Sequence, residues 1–237
     1  MIPVKKLIPL QALDLKIDSA SSAIDERKQK VARMQKEIDA DADLVEKKKA
    51  LLKKIQLRKR AAESSFEEVT EQVKTAELKM KSAGLSPASY SALEKEIATL
   101  KARAGELETA VLQDMEKIEV LEKDIPKGEK VVAGRRVHLD EVKSRITDEI
   151  LGLKKEIELI KTDRSQVSLK IEADSLELYE ELRKQKKGQV IFDIDLASCP
   201  ACGMGLPGGF VSAASAHEEA EKCSYCGILL RWTGERN

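Results

Sequence analysis

Apolar residues recur along the first third of the chain at alternating intervals of four and three. From Leu13 the series runs through Ile17, Ala20 and Ile24, on through Ile38, Val45 and Ile55, to Val69, Val73, Ala76 and Met80. Sixteen of its twenty members are apolar, the exceptions being Arg27, Asp41, Lys48 and Lys59. A two-position heptad seam sustained this long predicts one helix of a coiled coil. At ~1.5 Å rise per residue it would extend roughly 100 Å.

The seam ends at a set of helix signals. Gly84 suits a left-handed stop, Ser86 a cap for the next helix and Pro87 its first turn. A second series follows through Leu93, Ile97, Leu100, Leu107, Val111, Ile118, Leu121, Ile125, Val132, Leu139, Val142 and Ile146. Two successive steps of four then reach Ile150, a stutter that locally unwinds a supercoil, and the rhythm resumes through Leu153, Ile157, Ile160, Val167, Ile171, Leu178 and Leu182. Arg183, Lys184, Lys186 and Lys187 sit at the negative end of this helix, with Gly188 just beyond. The expectation is an antiparallel coiled-coil hairpin over residues 1–188 with its turn near 82–87. Because the second helix is the longer, residues beyond about 165 should outrun the N-terminus and carry the tail past the hairpin.

Charge offers a check. With the turn near 84, cross-hairpin partners satisfy i + j of about 168. Residues 46–60 carry a net charge of +7 and their expected partners, 106–122, a net of −5. Opposite blocks facing each other fit the flanks of a coiled coil, although the basic run also admits a nucleic-acid reading. Pro126, followed by Gly128 and Gly134, lies opposite a zone where the seam carries Asp41. A proline inside a helix costs ~3 kcal/mol or more, so this level is expected to hold a static kink or a hinge.

Composition narrows the class. The 237 residues hold 42 basic and 42 acidic side chains, leaving no overall charge to draw the chain to nucleic acid or membrane. Charged residues make up 35% and aromatics 3%, which suits long helices and not one large core. No run of about 18 apolar residues exists, so a soluble, cytoplasmic protein is expected, without membrane insertion. In a reducing compartment the four cysteines favour metal ligation over disulfides.

All four cysteines fall in the tail, as Cys199-Pro-Ala-Cys202-Gly203 and Cys223-Ser-Tyr-Cys226-Gly227. Two CxxC pairs at this spacing read as a four-thiolate site for one structural Zn²⁺. Val190–Ile194, Phe210-Val211 and Ile228–Trp232 read as short strands, which makes residues 189–237 a small zinc ribbon dependent on its metal. Redox CxxC chemistry lacks a surrounding βαβ pattern, and a catalytic zinc needs an open position that four thiolates do not leave. His217 is a further candidate ligand, but four are already present. The fold class is therefore mainly α: a long antiparallel coiled-coil hairpin followed by a small C-terminal β zinc ribbon. No phosphate-binding loop, no nucleophile elbow and no catalytic constellation is found; His138 lies in a charged helical run.

Three stretches resemble a bacterial family of coiled-coil hairpins that end in a four-cysteine zinc ribbon. They are Leu10-Gln11-Ala-Leu13-Asp14 near the start, Tyr90-Ser-Ala-Leu93-Glu-Lys-Glu96-Ile97 opening the second helix, and Cys223-Ser-Tyr-Cys226-Gly227-Ile-Leu-Leu at the end. Ile228 stands where the family places an arginine, and Arg231 comes three residues later. The resemblance implies a non-enzymatic adaptor or chaperone. Its implied partners are the alternative sigma factor sigma-54 (RpoN) and type III secretion or flagellar export components such as the ATPase and stator. Candidate partner contacts are Arg183, Lys184, Lys186, Lys187 and Arg231. A nucleic-acid-binding ribbon in transcriptional or post-transcriptional regulation is the alternative, and homo-oligomerisation is left open.

Overall fold

The computed structural model describes residues 4–82, 86–186, 188–216 and 219–233. Gly84, Lys187 and His217 lie outside them. A 3-10 turn, Val4–Lys6, leads into α1 (Leu7–Met80), and α2 spans Pro87–Ser168. A shorter helix, α3 (Ala173–Lys186), precedes β1 (Ile191–Ile194), α4 (Gly208–Ala216), β2 (Glu221–Lys222) and β3 (Leu229–Trp232). The chain is mainly helical, with two long helices in a hairpin and a small three-stranded sheet near the end. No described helix is long and apolar enough to cross a membrane.

Burial follows the heptad seam. Beyond Asp14, every buried residue of α1 (Ala20, Ile24, Ile38, Val45, Ile55, Val69, Val73 and Ala76) is a seam member. Leu44, Leu51 and Leu57, apolar but off the seam, are exposed. Three of the polar seam positions reach across to α2: Arg27 to Glu149, Asp41 to Arg135 and Lys48 to Asp124. Lys59 instead pairs along its own helix with Glu63. A charge within the seam thus keeps its aliphatic stem against the partner helix and its head on a carboxylate. Ser86 caps α2, accepting the Ser89 amide at 3.1 Å, with Pro87 as the first helical residue.

The register departs from the simple fold-back. Arg58 bonds Asp114 and Lys49 bonds Glu129, roughly one to three turns further along α2 than expected. The cause lies at the turn: residues 86–92 are all exposed, and Ile97 is the first buried residue of α2. The second helix therefore begins before it meets the first. Pro126 does not interrupt α2. It is exposed, so water can reach the carbonyl its missing N–H leaves free. Two residues on, a Cβ at Gly128 would come within 2.8 Å of Val45 Cγ2, so glycine here permits close approach of the helices.

By contact the chain divides into two units, Met1–Val31 with Val142–Asn237, and Ala32–Glu141. The first unit holds a second departure. The apolar rhythm continues through Val167 and Ile171, but the helix stops at Ser168. The hydroxyls of Thr162, Ser165 and Ser168 each donate to a carbonyl three or four residues back, and the amides of Lys170 and Ile171 tighten to three-residue bonds. Such side-chain competition loosens a helix end. α3 then starts with Asp174 in its first turn, where a carboxylate favours a helix N-terminus. Instead of outrunning the N-terminus, α3 packs on it: Val4, Leu7 and Leu10 share one core with Tyr179, Leu182, Val190, Ile191 and Leu229.

The sheet has the order β1-β3-β2, with β1 parallel and β2 antiparallel to β3. Ile191 pairs with Leu229 and both face the helical core, whereas Ile194, Ile228 and Leu230 face the cysteines. Alternation thus buries the sheet on both faces. The expected strand at Phe210-Val211 is wrong. These residues lie in α4, where Phe210 packs against the cysteine core and its amide bonds the Pro207 carbonyl. The two glycines and Pro207 favour a helix start as much as a strand, and periodicity cannot decide over so short a run.

Candidate metal centre

Each cysteine pair occupies a tight turn. The Gly203 amide donates to the Cys199 carbonyl and the Gly227 amide to the Cys223 carbonyl, both at 2.8 Å. The glycines take φ of 73° and 77°, a left-handed conformation that side chains disfavour. Short pairings close the turns, from the Cys199 amide to the Met204 carbonyl at 2.9 Å and from the Cys223 amide to the Ile228 carbonyl at 2.8 Å. β3 leaves the second turn directly, so the sheet and the cysteines are fixed together.

The four sulfurs lie within 4.8 Å of one another, with Cys199 and Cys226 at 3.7 Å and Cys202 and Cys223 at 4.0 Å. Tetrahedral thiolates at ~2.3 Å from a zinc ion would stand ~3.8 Å apart, so the donor set and its spacing fit such an ion. Burial pushes the Cys223 thiol up, but the amides of Cys226 and Tyr225 and the neighbouring sulfurs outweigh it and bring the group to about 7. Burial, then the adjacent sulfurs, push Cys226 up to about 12, and burial also raises Cys199. Cys223 is thus poised to ionise while Cys199 and Cys226 resist adding charge, a cluster that a cation would complete. Cys199 and Cys223 are buried and Cys202 is exposed.

The other expected site residues are differently placed. Arg183 turns inward, donating to Asp18 at 2.8 Å with its Nε 3.7 Å from Asp14. Arg231 makes a two-pronged pair with Asp193, both bonds at 2.7 Å. Lys184 and Lys186 are both exposed, while Lys187 lies outside the described residues. Among the described residues, the two arginines are thus committed to carboxylates while the two lysines face solvent.

Two residues that carry structural weight were not singled out as site residues by the sequence. Buried Gln11 receives the amides of Val190 and Ile191 on its Oε1, at 2.9 and 2.7 Å, and donates Nε2 to the Ile191 carbonyl at 2.8 Å. One side chain of α1 therefore occupies the outer edge of β1. Asp14, one turn on and 2% exposed, accepts the Tyr179 hydroxyl at 2.8 Å and Arg164 Nε at 2.6 Å. Their only signal in the sequence was membership of the Leu-Gln-x-Leu-Asp stretch.

Burial, then the adjacent Asp14 carboxylate, hold the Tyr179 hydroxyl well above its usual range. From about pH 10, where a free tyrosine ionises, the unfolded chain releases this proton and the folded chain keeps it, so stability falls as pH rises. The denaturation midpoint should drop as pH rises from about 10 upward, and Tyr179→Phe should drop less. Equal slopes in the two proteins would contradict the assignment.

An antiparallel coiled-coil hairpin, a small three-stranded sheet and four thiols gathered at metal-ligand spacing together define the class of protein. The chain belongs to the CT398-like coiled coil hairpin family, whose model matches residues 10–187. Its fold is similar to that of CT398 from Chlamydia trachomatis, at 19% identity, a TM-score of 0.75 and 97% of each chain covered. It is also similar to the HP0958 protein of Helicobacter pylori CCUG 17874, at 19% identity, a TM-score of 0.81 and 98% of each chain covered. No curated protein matches it.

Proposed function

We propose that this protein is a non-enzymatic, cytoplasmic adaptor, with a coiled-coil arm (1–188) and a small head (189–237) clasped by one structural Zn²⁺ on Cys199, Cys202, Cys223 and Cys226. The observation that supports the reading is the four-sulfur cluster: four thiolates on one ion would leave no open position for chemistry and would hold the sheet in place. The resemblance to chlamydial CdsZ and flagellar FlgZ proteins supports sigma-54 and export components, the ATPase and stator, as partners. Lys184 and Lys186 are the contacts best disposed to meet them. Arg183 and Arg231 serve the fold first, through Asp18 and Asp193.

Because β1 is bonded to Gln11, cutting the chain at 188 would expose a buried edge. Point variants of the whole protein are the better test. The zinc-loaded chain should bind purified sigma-54 or an export ATPase or stator component, and Lys184→Glu with Lys186→Glu should weaken it several-fold. No binding to any of them at micromolar concentration would sink the adaptor reading. Binding of RNA or DNA that weakens steeply with salt would favour the nucleic-acid alternative.

A further inference from the structure

The unit Ala32–Glu141 carries a feature that the metal-clasped head does not use. A groove of about 640 Å³ runs between α1 and α2, floored by Leu51, Ile55, Val120 and Leu121. Leu51 is 47% and Val120 59% exposed, which is unusual for large apolar side chains facing one another across a groove. Lys54, Arg58 and Lys117 rim it, against one carboxylate, Glu116. Lys47, Leu51, Lys54 and Arg58 follow one another at heptad intervals, so the basic rim continues along the same face of α1. Arg58 is committed to Asp114, on which Lys117 also acts without direct contact, and Lys47 and Lys54 form no salt bridge among the described residues.

We propose that this groove is a docking site for an amphipathic helix of a partner protein, with apolar residues on one face and acidic residues flanking them. An added helix would cover Leu51 and Val120 and complete a third strand of the coiled coil, with its flanking carboxylates on Lys54 and Lys117. Nucleic acid fits less well, because the floor is aliphatic and offers no aromatic side chain on which a base would stack. A second copy of the chain also fits less well. Its own acidic apolar patch, Leu112 and Met115 beside Glu119 and Glu122, has Glu119 engaged by Lys123 and Glu122 by Gln56. The proposal rests on the reading of the chain as an interaction protein, but not on its zinc or its head.

The test uses the full chain and a labelled synthetic peptide with leucine at heptad core positions and glutamate beside them, followed by fluorescence anisotropy. Lys54→Glu with Lys117→Glu, and separately Leu51→Ser with Val120→Ser, should each weaken binding tenfold or more. Both pairs are at the surface, and unchanged helicity by circular dichroism checks the fold. A peptide with lysine in place of glutamate should bind at least tenfold more weakly. Equal binding of the two peptides, or no effect of either variant, overturns the proposal. So does concentration-dependent self-association that the lysine variant abolishes, which would assign the groove to a second copy. Binding of single-stranded RNA lost in the lysine variant and kept in the leucine variant would overturn it too. Sigma-54 binding measured on the same variants separates the proposals: failure of the groove leaves it unchanged, and failure of the adaptor reading removes it from the unsubstituted chain.

Discussion

Replacing Cys223 by serine is expected to remove the metal and to unfold the sheet while leaving α1 and α2 largely helical. Structural zinc contributes about 10–16 kcal/mol to the folding of small four-ligand modules, so one thiolate of four accounts for about 3–4 kcal/mol, or two to three powers of ten in affinity. Apolar burial has little to offset this. The cysteine-side core is Ile194, Leu206, Ile228 and Leu230 with two of the cysteines themselves, and β2 is two residues long. The chain's single tryptophan, Trp232, lies in β3 and packs on that core, so its fluorescence reports the sheet alone. Zinc should fall from about one per chain to near none, with a red-shifted Trp232 emission and little change in helicity. Chelation of the unsubstituted protein should reproduce both. Metal-free protein with an unshifted Trp232 spectrum would show that the sheet stands without a metal.

How much of this was legible in the sequence differs between the helical hairpin and the C-terminal tail. The arm was legible because period and burial are the same fact in a coiled coil: a side chain repeating every seven residues faces the partner helix. Even the polar seam positions Arg27, Asp41 and Lys48 made sense once their cross-hairpin carboxylates and guanidinium were seen. The register was not legible, because heptads repeat and any shift by seven restores the same pattern. Only the turn fixes it, and the exposed first turns of α2 moved it. The clustering of the four cysteines was legible because each pair is local, two residues lying between its members within a single turn.

What failed was long-range. The apolar rhythm does not distinguish an α2 that continues past Ser168 from one that stops and resumes as α3, because Val167, Ile171, Leu178 and Leu182 keep it through the break. The backbone turns there because α3 has a better place to bury Tyr179 and Leu182, against Leu7 and Leu10. That choice joins residues more than 160 positions apart. The same distance hid Gln11, which in a helical pattern reads as one more polar residue and in the structure completes the edge of β1. Edges of small sheets need covering, and here a side chain from the far end of the chain does it.

Substitution of Asp14 by alanine is expected to be the most destabilising single change away from the cysteines. Asp14 is almost wholly buried and is the shared acceptor for Tyr179 and Arg164, with Arg183 close by. Its presence, before that of Glu180, holds the Arg164 guanidinium far above its ordinary range. Deleting one partner of a buried ionic cluster costs about 3–5 kcal/mol, and the lower end is expected here because Arg164 keeps Glu180 and Arg183 keeps Asp18. Asparagine should recover part of this, since its carbonyl can still accept the Tyr179 hydroxyl but carries no charge for Arg164. Asp14 sits one turn from Gln11 on α1, so the loss should reach β1 and lower the denaturation midpoint followed at Trp232. A variant at exposed Asp25, paired only along its own helix with Lys28, serves as the control and should change stability by less than about 0.5 kcal/mol. Were Asp14→Ala to cost no more than that control, Glu180 and Asp18 would suffice for Arg164 and Arg183, and the N-terminal turns of α1 would not be what holds α3 and the sheet in place.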